Sequence, residues 1–228
     1  MLHNPPLLTI HRGHRRPEKA LVEAFRGAQS SHICDAMDGR GALDYRIKPL
    51  DPENAVFVGP ALTAFAYPAD TVGMFGALAE AAPGDVLVVA CEGFTGTAVI
   101  GDLAAGMMNN KGCAAFVTDG LARDRAGIIA TGLPVFAAGI HPNSPARNGP
   151  GVVGLPVNLG GLQVKPGDII VGDADAVVVV PLERAEAVLR ALKDVRANEA
   201  KAEQRVRDGA VMSQPMEAIL AAARIIHD

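Results

Sequence analysis

The feature that most limits what this chain can become is an alternation, kept from end to end, of short β-branched runs with segments of helical spacing. Elements of both kinds must bury an apolar face against a neighbouring layer, so the pattern predicts stacked sheets and helices of the α/β class. Residues 56–67 read as one strand or two, with a break at Gly59-Pro60. Residues 114–118, 134–138 and 176–180 read as further buried strands. Two more are announced by one turn. Pro83-Gly84-Asp85 precedes Val86-Leu87-Val88, and Pro166-Gly167-Asp168 precedes Ile169-Ile170-Val171. A Pro-Gly-Asp turn feeding a β-branched run is what a buried strand requires at its start. Nothing else recurs, so these are similar turns and not a repeat architecture.

The helices are placed by their caps and stripes. Pro17 suits a first helical position, with Leu21, Ala24 and Phe25 following toward Gly27. Ser30 and Ser31 are placed to cap a short helix containing Cys34, Asp35 and Ala36. Asp70 is placed to cap one through Met74, Leu78 and Ala79 that stops at Pro83. A long C-terminal helix opens at Pro181, with Leu182, Ala185, Leu189, Leu192 and Val195 on one stripe. Beyond Val195 the same stripe carries Glu199 and Glu203, with Arg196 beside them. Either this half runs into water before Gly209 stops it, or it delivers a carboxylate to a polar site, on a neighbouring subunit for instance.

The 228 residues are expected to form a single domain, 1–228, with an N-terminal arm over about 1–16 and a C-terminal helix and tail over about 182–228. The basic cluster His11, Arg12, His14, Arg15 and Arg16 reads as a solvated part of that arm. With a net charge of −4, the chain has no basic footprint for nucleic acid. No apolar run approaches the roughly 18 residues of a membrane span, and 7–10 is too short for a secretory signal, so a cytoplasmic protein is expected. Cys34, Cys91 and Cys113 are odd in number and lack CxxC spacing, which argues against a disulfide frame or a zinc site. Cys34 and Cys113 are expected to pack as small hydrophobes, and Met107 and Met108 to pack in a core or interface.

Two segments carry chemistry. Gly101-Asp102-Leu103-Ala104-Ala105 opens a helix, and the N–H groups at such a start suit a carboxylate. Thr118-Asp119-Gly120-Leu121-Ala122-Arg123-Asp124 runs from a buried strand through a turn into a helix. Arg123 offers a guanidinium fork for the same anion, and Asp124 a hard oxygen ligand for Mg²⁺ or Mn²⁺. Taken singly, each feature also fits a helix cap or a surface turn.

Together these segments resemble the RraA-like family, which includes 4-hydroxy-4-methyl-2-oxoglutarate/4-carboxy-4-hydroxy-2-oxoadipate aldolases, oxaloacetate decarboxylases and non-enzymatic ribonuclease regulators. The similarity runs from Asp35 to about Gly209 and includes 166–170, Gly172-Asp173-Ala174-Asp175 and Asn198-Glu199-Ala200. It implies a layered β/β/α domain of the swivelling type with a long C-terminal helix. It also implies a homotrimer or a pair of trimers with the active site between subunits. In the aldolase branch, backbone at Gly101, Asp102, Leu103 and Ala104 would contact the pyruvate carboxylate. Arg123 would hold the oxo-acid and Asp124 the metal. Asp102 would hold a water of the metal's shell, Glu199 of an adjacent subunit would complete that shell, and Asp35 would approach the same site.

The sequence departs from the aldolase pattern at Asp35, where Glu is usual, at Ala176, where Gly is common, and in the loop 141–147. The metal and pyruvate subsite matches, while the part that reads the rest of the substrate differs. His141, Asn143 and Arg147 either meet the distal end of the substrate or belong to an ordinary polar loop. His32 either joins the site or is a plain helix-start histidine. The resemblance implies a divalent-metal-dependent lyase that cleaves a 4-hydroxy-2-oxo acid to pyruvate and decarboxylates oxaloacetate through the same enolate. The alternative is a regulator that binds and inhibits a ribonuclease, a branch that does not keep the aspartate after the arginine. Methyl transfer is disfavoured, since no Gly-rich turn after the first strand prepares a nucleotide site.

Overall fold

The computed structural model describes residues 5–226. In chain order the strands are β1 (Leu8–Ile10), β2 (Lys48–Pro49), β3 (Phe57–Ala66), β4 (Val86–Ala90), β5 (Ala98–Ile100), β6 (Ala115–Thr118), β7 (Leu121–Ala122), β8 (Val135–Ala137), β9 (Gly139–Ile140), β10 (Gly151–Val153), β11 (Val157–Leu159), β12 (Leu162–Val164), β13 (Ile169–Gly172) and β14 (Val177–Val180). The helices are α1 (Lys19–Glu23), α2 (Ser30–Asp35), α3 (Val72–Glu80), α4 (Asp102–Asn110), α5 (Arg125–Thr131), α6 (Ala185–Arg207) and α7 (Gln214–Ala221).

β3 holds the layers together. From Ala61 to Phe65 it runs parallel to β4, and β4, β6 and β8 continue side by side in parallel. From Phe57 to Pro60 the same strand pairs antiparallel with β13, which pairs in turn with β14. The change of partner falls at Pro60, where the sequence suggests a break, but the strand itself is continuous. Gly59 permits the close approach there, because a Cβ at that position would lie 2.3 Å from the Gly84 carbonyl oxygen.

Side chains that alternate along the strands then fill different cores. Leu87 and Val89 join Met74, Ala105, Met108 and Ile128 beneath α3, α4 and α5. Val86 and Val88 face the other way, toward Ile170, Val177 and Val179. Ile169, Val171, Val178 and Val180 in turn meet Phe25, Ile33, Val188 and Leu192 of the α1, α2 and α6 side. Three cores therefore separate four layers. Two are the expected β layers, one is the expected helical layer, and a second helical layer covers the other face.

Both Pro-Gly-Asp turns close on their own carboxylate. Asp85 accepts from Ala82 N–H at 2.9 Å, and Asp168 from Lys165 N–H at 2.8 Å and Leu182 N–H at 3.0 Å. Gly84 and Gly167 take φ of +88° and +87°, which only glycine adopts without strain. Asp85 is fully buried and needs a counter-charge, which Arg16 supplies. His11, Arg12, Arg15 and Arg16 of the N-terminal cluster are exposed, as a solvated segment requires, but the segment is tied to the body. β1 runs parallel to β10, and Arg12 forks onto Glu80 with both hydrogen bonds at 2.7 Å. Sheet pairing and two ion pairs hold the described part of the segment against the body.

Local caps also differ in detail. α1 begins at Lys19 instead of Pro17. Ser30 does not cap α2 with its side chain; its N–H and Oγ both donate to Asp173, at 2.7 and 2.9 Å. On α6, Ala185, Val188 and Leu192 are buried, while residues 196–204 are all exposed. The helix continues past the layer that covers its first half, and Gly209 follows its end with φ +93°.

Candidate functional site

A small three-stranded sheet, β5-β7-β9, positions the chemistry. β5 and β7 are parallel, so the turns that leave them emerge on one edge. One residue, Gly101, separates β5 from α4, and two, Arg123 and Asp124, separate β7 from α5. Arg123 N–H donates to the Ile100 carbonyl at 3.0 Å, tying the two turns together. Ligands in α/β proteins gather at this kind of place, past the carboxyl ends of parallel strands.

Asp124 adopts φ +56° and ψ +44°, a left-handed conformation in a residue with a Cβ. Such backbone costs ~1–3 kcal/mol and concentrates at functional sites. The turn aims the carboxylate outward, with 45% of the side chain accessible, and the Arg123 Nε lies 3.1 Å from its Oδ2. Gly101 lets the pair sit flush. A Cβ there would lie 3.1 Å from Asp124 Oδ2 and 3.2 Å from Arg123 Nε, tighter than side chains normally accept. Gly127 does the same for Asp102, since a Cβ at 127 would lie 2.7 Å from its Oδ2. Gly101 and Gly127 thus leave room for the Arg123–Asp124 pair and for Asp102.

The cleft above them has a volume of about 120 Å³ and is lined by Gly101, Asp102, Leu103, Ala104 and Arg123 from the two motifs. That is far below the roughly 300 Å³ at which sites for drug-sized ligands begin, and it suits a small acid. At the start of α4, Leu103 N–H already donates to Asp102 Oδ1 at 2.7 Å, and the first helical bond runs from Ala105 N–H to Gly101 O at 3.0 Å. An incoming carboxylate must therefore compete with Asp102 for Leu103 or take the Ala104 N–H.

The opposite wall comes from Thr71, Met74 and Phe75 of the α3 start, which the sequence did not single out for a site, with Ser144, Pro145 and Arg147 from the loop between β9 and β10. The Ser144 hydroxyl pairs with the Arg123 guanidinium. The signal was faint, because Ser144 is one polar residue in a polar loop. Of His141, Asn143 and Arg147, Arg147 lines the cleft, while Asn143 ties the loop to the body through Ala98 N–H at 3.0 Å.

Asp35 and Glu199 are not brought to this cleft within one chain. They lie exposed on α2 and α6, which pack on each other at the opposite face. Met108 is buried in the core beneath α4, whereas Met107 is half exposed. Asp119 plays a structural part, its carboxylate accepting from Cys91 and Gly93 N–H at 2.7 and 3.0 Å. Burial, then the nearby Asp119 charge, pushes the Cys91 thiol up to about 12, which leaves it inert. Among the described residues no three His, Cys, Asp or Glu side chains cluster as a protein-only metal cage. The residues present fit a different kind of site. One accessible carboxylate with Asp102 near it suits a hard cation that keeps water and takes its remaining ligands from substrate.

The RraA-like pattern, described as Aldolase/RraA, matches residues 30–179, well over half the chain. The chain belongs to the RraA-like family. A protein of Halalkalibacterium halodurans, provisionally named a 4-hydroxy-4-methyl-2-oxoglutarate aldolase, is 37% identical over 187 residues, 82% of this chain and 89% of that one. Among solved structures, Streptomyces coelicolor RraAS2, described as an unusual member of the RNase ES inhibitor RraA protein family, superposes with a TM-score of 0.74 at 30% identity. That match covers 83% of this chain and 100% of that one. A Thermus RraA described as an RNA-processing inhibitor gives 0.62 at 27% identity, over 68% of this chain and 93% of that one. This RraA-like chain thus resembles both a named aldolase and named inhibitors. Among the described residues, no helix is long and apolar enough to cross a membrane.

Proposed function

We propose that this RraA-like protein is a divalent-metal-dependent carbon–carbon lyase that cleaves a 4-hydroxy-2-oxo acid to release pyruvate and also decarboxylates oxaloacetate. One observation carries the reading: Arg123, paired with Asp124 and backed by Gly101, lines a small-acid cleft with the start of α4. Asp124 is the residue that would hold Mg²⁺ or Mn²⁺, with Asp102 beside it to hold water. A cation there supplies Lewis-acid stabilisation of the enolate charge, worth several kcal/mol.

The chain's own groups do the rest. The first turn of α4 holds the substrate carboxylate with backbone N–H groups and a positive dipole end. Arg123 orients the 2-oxo group and adds positive charge where negative charge develops. Cleavage of C3–C4 requires the 4-hydroxyl proton to leave as the bonding pair moves onto C3 and the C2 oxygen, and C3 then takes a proton to give pyruvate. Asp102 is the acid or base available on the same chain. Loss of CO₂ from oxaloacetate leaves the same enolate.

Glu199 and Asp35 reach a site only on a neighbouring copy, which fits a trimer or hexamer with shared active sites. The exposed second half of α6 supports this part of the reading. Mixing inactive Arg123→Ala and Glu199→Ala proteins under exchanging conditions is expected to restore activity, and no recovery would remove the shared site.

Pyruvate release from a panel of 4-hydroxy-2-oxo acids and oxaloacetate, with and without Mg²⁺, tests the whole proposal. Turnover that rises with Mg²⁺ supports it. Absence of both turnover and Mg²⁺ binding, together with inhibition of a ribonuclease, would favour the regulator that two structural relatives are named for.

A further inference from the structure

A second concavity lies at the other end of the large sheet from the cleft. β5, β7 and β9 follow the carboxyl ends of β4, β6 and β8, whereas Pro83-Gly84 and Ala114 precede the amino ends of β4 and β6. Those three residues line a cavity of about 540 Å³ that shares no residue with the cleft. Its origin is the change of partner along β3. Phe57 to Pro60 pair with β13 on one edge, while β4 starts only at Val86, opposite Ala61. Among the described residues the other edge of β3 has no strand before Ala61, and α1 lies across the gap. Pro60 carries no N–H, so this edge is ill suited to a further strand. The volume instead falls in the range of small-molecule sites, roughly 300–1,000 Å³.

The lining divides into an apolar wall and a charged rim. Val22, Val56, Val58, Pro60 and Pro83 supply the wall. Val56 is 68% exposed, a β-branched side chain that the chain itself leaves uncovered. Arg16, Lys19 and Arg26 set three cations on the rim against the single carboxylate of Glu23, in a chain with 25 acids and 21 bases. Two of these cations are committed. Arg16 Nη1 lies 3.2 Å from the buried Asp85, and Arg26 forks onto Glu23 at 2.6 and 2.8 Å. Lys19 makes no ion pair among the described residues. A concavity with an excess of one sign of charge concentrates ligands of the other sign.

We propose that this cavity is a second ligand site, which takes a small monoanion with an apolar body, of the aromatic carboxylate class. The ring lies on Val22, Val56 and Pro60, and the acid group meets the Lys19 ammonium. The proposal does not rest on the lyase reading, which concerns the cleft at the other end of the sheet.

A matched pair of probes tests both halves of the proposal. 2-Naphthoate and 2-naphthylmethanol share a fused-ring body and differ in a carboxylate against a hydroxymethyl group. In calorimetry the full-length protein is expected to bind naphthoate saturably, one per chain, and to prefer it by roughly 5-fold, the upper range for an exposed ion pair. Lys19→Met is expected to remove that preference and leave the affinity for naphthylmethanol unchanged. Val56→Ser, at an exposed position that the fold does not need, is expected to weaken both probes alike. Arg123→Ala is expected to leave naphthoate binding as it was. No saturable binding, a preference that survives Lys19→Met, or binding that depends on Arg123 overturns the assignment. So does a Val56→Ser protein whose assembly dissociates in sedimentation, since the cavity wall would then be an interface between copies of this chain.

Discussion

Asp85 and Asp124 look alike in the sequence, each an acid in a turn at the end of a secondary-structure element. In the fold they are opposites. Asp85 is fully buried, accepts a backbone N–H at 2.9 Å and pairs with Arg16. Asp124 makes no capping hydrogen bond, sits at φ +56° and exposes 45% of its side chain beside Arg123. The first spends its hydrogen-bonding capacity closing a turn. The second lends one oxygen to Arg123 and leaves the other without a hydrogen bond, at the cost of a strained backbone. An acid held in this second way points to a site, because nothing in the local structure explains why it is there.

The comparison breaks most sharply on activity. Asp124→Ala is expected to lower metal-dependent pyruvate release by about 1,000-fold or more, from the loss of several kcal/mol of Lewis-acid stabilisation. Its melting temperature should stay level or fall slightly, since Ala tolerates the left-handed backbone less well than Asp. Near-normal turnover would mean that Asp124 is as structural as Asp85. Asp85→Ala should do the reverse. Leaving Ala82 N–H and Arg16 without their buried partner is expected to cost roughly 1–3 kcal/mol in denaturant unfolding, with turnover per folded molecule preserved.

A finer test lies between two acids of the second sheet. Burial, opposed by backbone hydrogen bonds, raises the carboxyl of Asp168, so the folded chain holds that proton more readily than the unfolded chain. Its contribution to stability is present below the ordinary carboxylate range and is lost as pH rises through it. For Asp173 burial also acts upward, but hydrogen bonds from Ser30, Ala176 and Asp175 outweigh it and the net shift is downward. Its contribution is present above the ordinary range and is lost as pH falls through the lowered value. Asp173→Asn should therefore flatten the acid limb of stability against pH, and Asp168→Asn should not. The smallest effect concerns Cys91 and Cys113, pushed up to about 12 and about 11 chiefly by burial. Native protein at pH 8 should resist alkylation at both, and rapid labelling at either would show that the sheet opens locally.

Much of this was legible beforehand, for reasons that differ by region. The strands over 114–118, 134–138 and 176–180 appear within a residue or two of their expected bounds, because a buried strand must be apolar along its whole length. The change from Val195 to Glu199 on one helical stripe marks where α6 leaves its core. The glycine-acid-leucine and arginine-aspartate motifs could be picked out because a turn at a strand end tolerates few residues. The anchoring of the exposed N-terminal cluster was not legible, since a run of His and Arg carries no mark of the buried Asp85 or of Glu80, partners some seventy residues away. Ser144 was equally hidden, and Arg147 could not be told from an ordinary loop residue, because a loop's polar residues show no periodicity.

The chain's own pattern was enough to determine the layered α/β class, the strand runs and the two motifs, since each follows from neighbours in sequence and the need to bury apolar faces. Only the tertiary structure decided which acids are structural and which are free, because that depends on donors delivered from distant segments. It likewise decided that the 141–151 loop folds back onto α3, through Asp70, and so places a second guanidinium opposite the first.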